Sequence, residues 1–202
     1  MSCLEVKNIN VVQPIRDKEK IREALKFLEE WNYKYYLMFM LGIRTGLRIT
    51  DILELKVKDV TERDRYKNIK IKSHILTKEN KTKKRKRIKV HTELKKALEE
   101  FVIDKEPEAY LIQSNKKDKF GEYKHLSRQR AWEVLKIVSD FVGVDEIGCH
   151  TLRKTFGYHY YKKTKDIALL QNIFNHSSPE ITLRYIGITD DMMDRAFENM
   201  EY

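Results

Sequence analysis

Apolar residues along the first third of the chain recur at helical spacing. In "DKEKIREALKFLEEW", Ile21, Ala24, Leu25, Leu28 and Trp31 fall 3–4 residues apart with charges between them, which predicts an amphipathic helix starting near Asp17. The next segment, Tyr33 to Ile43, is apolar on every side and predicts a buried central helix. Gly46 permits a turn, after which Ile49, Ile52, Leu53 and Leu55 suggest a further short helix.

The period then changes. Tyr66 to Leu76 alternates polar and apolar residues, and Arg85 to Val90 does so again, so the two read as paired strands of a small sheet. Helical spacing returns at Leu94, Ala97, Leu98, Phe101 and Val102, then over Ser127 to Phe141, Thr151 to Tyr161 and Asp166 to Phe174. Ser178 followed by Pro179 marks the start of a short helix that ends near Tyr185. A last segment carries Met193, Ala196, Phe197 and Met200 as an apolar stripe, with Thr189 as its expected cap. The fold class expected is mainly α with one small antiparallel β-sheet (α+β). With 7 Gly and 3 Pro and no linker-like stretch, the 202 residues read as a short N-terminal arm, 1–15, and one domain, 16–202.

Composition narrows the classes. Cys3 and Cys149 lie far apart without CxxC spacing, so the pattern suggests neither a thiol redox motif nor a cysteine zinc site. The longest apolar run, Tyr35 to Ile43, is less than half of the roughly 20 residues needed to cross a bilayer. A cytoplasmic protein with no membrane association is expected. The 41 Lys+Arg against 31 Asp+Glu give a formal charge of +10, a field that attracts polyanions.

Several residues carry candidate chemistry. His150 and Arg153 are three apart and on a helix share a face that suits one anion. Arg48 begins a helix after a glycine turn, where a guanidinium and backbone N–H groups can converge on a phosphate. Asp51 either orients Arg48 or is a first-turn acid favoured by the helix dipole. Between the two expected strands, eight of the twelve residues from Lys78 to Lys89 are Lys or Arg. At a hairpin tip Lys78, Lys83, Lys84, Arg85, Lys86 and Arg87 suit DNA phosphates. His74, His91, His125 and His159 show no metal-ligand spacing, and Tyr158, Tyr160 and Tyr161 read as packing and rim residues.

The order of Arg48, a hairpin lysine, His150-x-x-Arg153, His176 and Tyr185 resembles the tyrosine recombinase (phage integrase) family over about Val11 to Gly187. Its best segments are "RTGLRITDILELKVKDV", "CHTLRKTFG" and "NHSSPEITLRYIG". The resemblance implies a catalytic-domain fold that cleaves and rejoins DNA without metal or cofactor. Arg48 and Arg153 would bind the scissile phosphate, His150 and His176 would assist with hydrogen bonds and protons, and Tyr185 would attack phosphorus. A hairpin lysine would protonate the leaving oxygen: Lys81, with Lys78 and Lys83 as competitors.

The resemblance further implies double-stranded DNA as partner and a homo-oligomer on DNA, a tetramer at synapsis. Docking of the last helix on a neighbouring protomer and a nucleoid-associated setting of bacterial or phage type go with it. The sequence departs from the family at Asn175, where glycine is common, and at Lys154, where histidine is frequent. It also starts almost at the catalytic domain, at a size like that of single-domain fimbrial phase-variation recombinases. Two other functions share this fold: a DNA-binding accessory protein with little catalysis, and a type IB topoisomerase-like relaxing enzyme.

Overall fold

The computed structural model describes residues 12–66, 68–78 and 84–200. Asp17 starts α1 (Lys18–Trp31) by accepting from the Glu19 amide at 2.7 Å, the task of a short acidic side chain beside orphan N–H groups. Ala24 and Leu28 of its apolar stripe are buried, and the helix packs on α2 (Tyr33–Thr45). Buried almost all round, α2 is the central rod: α1, α3 (Ile49–Leu53), α5 (Thr92–Phe101) and α7 (Thr151–Thr164) all pack against it. It ends at Gly46, whose φ of +64° and closeness to the Phe156 ring both exclude a larger residue.

The sheet differs from expectation. Among the described residues, six strands form three separate two-stranded antiparallel hairpins rather than one sheet. The continuous alternation through Tyr66 to Leu76 is divided between two partners. β2 (Ile69–Ile71) pairs with β1 (Thr61–Arg63), which follows directly on α4 (Val57–Val60), and β3 (His74–Lys78) pairs with β4 (Arg85–Lys89). Ile71 and Ile75 both face the core, so the period survives while the chain changes partner between them. A third hairpin, β5 (Gln113–Lys117) with β6 (Tyr123–His125), is built from polar residues lacking an apolar alternation, and its pattern gave no strand signal. Lys81 and Lys83 lie outside the described residues.

The C-terminal third is α6 (Arg128–Val142), α7, α8 (Ile167–Phe174), α9 (Pro179–Tyr185) and α10 (Ile188–Glu198). Ser178 caps α9 by accepting from the Ile181 amide, with Pro179 at its first position, as the sequence predicts. The expected Thr189 cap of α10 is not one: Thr189 lies inside the helix, and Gly187 at φ +78° begins it. Buried apolar side chains fall into two clusters. The large one extends from Ile15 and α1 to Leu152 of α7; the small one joins Tyr158 of α7 to Leu170, Phe174, Ile186 and Ile188. No helix among the described residues is long and apolar enough to cross a membrane.

Candidate active site at the seam of the two clusters

Arg153 sits in the first turn of α7, which a reciprocal pair of bonds between Gly148 and Thr151 helps to start. Its side chain is only 2% exposed, so its charge requires acceptors. Nη1 donates to the Gly46 carbonyl at 2.6 Å and Nη2 to the Phe174 carbonyl at 3.0 Å, with the guanidinium 4.3 Å above the Phe174 ring. Those carbonyls end α2 and α8, where helix dipoles place partial negative charge. The arginine is therefore fixed between two helix C-termini, one on each side of the seam.

Tyr185 ends α9 within reach of this group. Its hydroxyl lies 3.3 Å from His150 Nδ1, and the two rings stand edge to face at 90°. Arg153 and Arg48 are near enough for their charges to act on both Tyr185 and His150. Burial pushes the Tyr185 pKa up, and the Arg153 and Arg48 charges oppose that rise by favouring the phenolate. His150 titrates below the ordinary histidine value, first because its ring is partly desolvated and then because Arg128, Lys154, Arg153 and Arg48 surround it with positive charge. Both effects favour the uncharged imidazole.

His176 follows Asn175, whose φ of +54° is a left-handed value that asparagine tolerates in place of glycine. Its ring packs 5.0 Å from that of Tyr185, and its Nδ1 lies 3.1 Å from Thr182 Oγ1. The Thr182 hydroxyl gives its own proton to the Ser178 carbonyl, so His176 Nδ1 is the donor to Thr182 Oγ1. Arg48 is half-buried at the N-cap of α3, and Asp51 is buried in that helix's first turn.

The structure thus brings Arg48, His150, Arg153, His176 and Tyr185 together within one chain. Of the basic hairpin residues, Lys84, Arg85 and Arg87 are exposed on and beside β4, and Arg87 bonds to His74 Nδ1. Lys86 points inward instead and donates to the Ile173 carbonyl next to the site, tying the hairpin to α8. Lys78 lies on β3 opposite Arg85.

Thr182, Arg128 and Phe174 carried no local signal, and Lys154, noted in the sequence only as a departure from the family, places its ammonium 5.3 Å from the Tyr185 ring centroid. Each acts through a partner distant in sequence or a turn away on its helix. Chemically, the group can neutralise an anion with two guanidinium ions and remove the proton from a phenol beside it.

Comparison with known proteins bears on this arrangement. The model of the Phage integrase family matches residues 16–192. The chain is 44% identical over 190 residues to a probable integrase/recombinase, YoeC, of Bacillus subtilis, covering 94% of this chain and 97% of that one. It is 29% identical over 150 residues to tyrosine recombinase XerD of Corynebacterium glutamicum, covering 74% of this chain and 46% of the relative. Among solved structures, a XerA recombinase superposes with a TM-score of 0.67 at 19% identity, covering 94% of this chain and 65% of that one. A XerH recombinase in a pre-cleavage complex with its difH substrate gives 0.64 at 19% identity, over 87% of this chain and 50% of that one. The chain spans nearly all of YoeC and about half of XerD and XerH. The structural likeness shows the fold of tyrosine recombinase catalytic domains.

Proposed function

The chain belongs to the phage integrase family, and on that premise we propose that it is a site-specific DNA recombinase whose nucleophile is Tyr185. The observation that carries this reading is the Tyr185 hydroxyl held 3.3 Å from His150, within the field of buried Arg153 of the same chain. The scissile phosphate binds between Arg48 and Arg153. Tyr185 Oη attacks phosphorus while its proton passes to His150 Nδ1, and the pentacoordinate transition state places its extra negative charge on the two arginines and on His176. The bond to the 5′-oxygen breaks, and that oxygen takes a proton from the hairpin lysine, Lys81 or its neighbours Lys78 and Lys83.

The products are a 3′-phosphotyrosyl ester and a free 5′-hydroxyl. Because the ester conserves the phosphodiester, a 5′-hydroxyl from another strand reverses the reaction and joins the strands without a metal or cofactor. Each preorganised donor to the transition state is worth on the order of 3–4 kcal/mol.

Double-stranded DNA is the partner, and exposed Lys84, Arg85 and Arg87 contact its phosphates from the hairpin. The protein works as a DNA-bound homo-oligomer, a tetramer at synapsis, in the nucleoid. Exposed Met192, Met193, Phe197 and Met200 on and just beyond α10 form the face that docks on a neighbouring protomer. Incubation with a nicked suicide duplex carrying the recombination site tests the chemistry. Wild type forms a covalent protein–DNA adduct, and Tyr185→Phe forms none. An adduct that persists in the Phe variant sinks the assignment.

A further inference from the structure

Residues 12–16, just ahead of α1, are anchored at several points, and their attachments reach the turn that follows Tyr185. Gln13 N donates to the Glu146 carbonyl at 3.0 Å, and Ile15 N donates to Thr155 Oγ1 at 2.9 Å. His159 Nε2 donates to the Ile15 carbonyl at 2.9 Å, and Lys154 Nζ donates to that of Val12. Three of these anchors, Lys154, Thr155 and His159, lie on α7, the helix that carries Arg153. Ile15 is buried. The strap is therefore part of the same rigid body as the arginine clamp.

From this strap Arg16 reaches the turn between α9 and α10. Its Nε donates to Asp191 Oδ1 at 2.8 Å, and its Nη2 donates to the Gly187 carbonyl at 3.3 Å and to Gln13 Oε1 at 3.2 Å. Asp191 is mostly buried, and its second oxygen accepts from the Tyr158 hydroxyl at 2.9 Å. The guanidinium lies 5.6 Å from the Tyr158 ring centroid. Gly187 suits glycine by its backbone, with φ at +78°, and a Cβ there would stand 2.8 Å from Arg16 Nη2, displacing the guanidinium from its bond to the Gly187 carbonyl. An exposed ion pair would be worth little. Here the Asp191 end is mostly buried while the Arg16 side chain is 36% exposed, and what distinguishes the pair is that it shares its carboxylate with a buried tyrosine and also binds the backbone two residues past Tyr185.

We propose that Arg16 is a positioning residue for Tyr185: by clasping Gly187 and Asp191 it fixes the end of α9 relative to α7 and so holds the tyrosine in its own chain's arginine clamp. The inference rests on Tyr185 being the nucleophile. A phenol placed wrongly by about 1 Å loses on the order of 100-fold in rate while the phosphate is still bound.

The test measures single-turnover adduct formation on the suicide duplex at saturating protein, with DNA affinity and thermal midpoint measured alongside. Arg16→Ala is expected to slow adduct formation on the order of 10–100-fold with DNA affinity unchanged. Asp191→Asn is expected to slow it similarly, and the double variant is no slower than the worse single one because both act through one clasp. Arg16→Lys keeps a cation for Asp191 without the fork that also reaches Gly187, so its rate falls between, and it carries the comparison should Arg16→Ala not fold. Absence of adduct from wild type overturns the Tyr185 assignment and this inference with it. A wild-type adduct matched in rate by both Arg16 variants overturns the role of Arg16 alone. Parallel loss of rate and affinity also overturns it, since that is damage to the whole fold.

Discussion

The two apolar clusters are built to different standards. The large one buries whole faces of α1, α2, α5 and α6 in layers of Leu, Ile, Val and Met, and it supports α3, on which Arg48 stands. Among the described residues the small one has five buried side chains, four of them on or next to the short helices α8 to α10, and Tyr185 is attached to it. Arg48 thus sits on deep packing and Tyr185 on shallow packing, with Arg153 bonded to a carbonyl on each side. Elements with few buried contacts open at lower free energy than the core. The difference suits a reaction in which the anion site must be preformed while the tyrosine changes position between attack and release.

The heaviest blow to this division is Arg153→Ala. Each charge-assisted bond to a carbonyl is worth about 1.5–3 kcal/mol, so losing both costs about 3 kcal/mol or more in stability. Loss of a transition-state donor adds a fall of at least 100-fold in cleavage. Hydrogen exchange read by mass spectrometry separates the halves: amides of α8 to α10 lose protection, while those of α2 keep theirs. Uniform loss over both would show that the clusters are one cooperative unit.

Gly157→Ala disturbs only the small cluster. The added Cβ would stand 2.7 Å from Ile186 Cγ2 and from Phe174 Cε2, so the residue beside Tyr185 must move. Overpacking of this kind costs about 1–3 kcal/mol. Cleavage is expected to fall about tenfold or more from misplacement of the phenol, with DNA affinity unchanged in a binding titration. A matching loss of affinity would place the DNA-binding surface on the small cluster instead.

Much of this division was legible in the sequence, for reasons that differ by element. The α1 stripe, the all-apolar α2 and the Ser178–Pro179 start are local patterns, and local patterns survive folding. Alternation in Tyr66 to Leu76 identified extended chain but not its partners, because a strand's period does not reveal the register or number of its neighbours. The β5–β6 hairpin had no apolar face to announce it. Arg48, His150, Arg153, His176 and Tyr185 were individually unremarkable, and their order alone singled them out. Nothing local distinguishes Thr182, which orients His176, or Arg128, which lies on another helix yet acts on His150. Residues 12–15 read as part of an N-terminal arm because several of their anchors are side chains of α7, about 140 positions away.

Electrostatics across the seam gives a subtler test. His150 has its pKa lowered, so it loses its proton below the ordinary histidine value of about 6.5 and remains an acceptor above it. The acid limb of the adduct rate should therefore lie below that value, with a plateau through neutral pH. Arg128 starts α6 on the large cluster and is the foremost charge among the causes of the shift, after desolvation. Arg128→Ala should move the limb to higher pH, while His150→Gln should abolish it. A limb unmoved in Arg128→Ala would mean that solvent screens the charge of the large cluster from the base.

The smallest expected effect lies at the start of α9. Ser178 Oγ accepts from the Ile181 amide, and the Ser178 carbonyl accepts the Thr182 hydroxyl proton that fixes His176 as donor. Ser178→Ala removes the first bond and keeps the second, because the carbonyl belongs to the backbone. A lost N-cap of this kind costs about 1 kcal/mol, and Pro179 still sets the backbone of the first turn. The expected outcome is a melting point lower by a few degrees and a cleavage rate reduced only a few-fold. Thr182→Val is the informative partner, since it removes the hydroxyl from His176 while leaving the cap intact. If the second variant slows cleavage more than the first at equal or better stability, α9 matters chiefly as the frame that orients His176 beside Tyr185. The reverse order would make the helix start itself the element that sets the nucleophile's place.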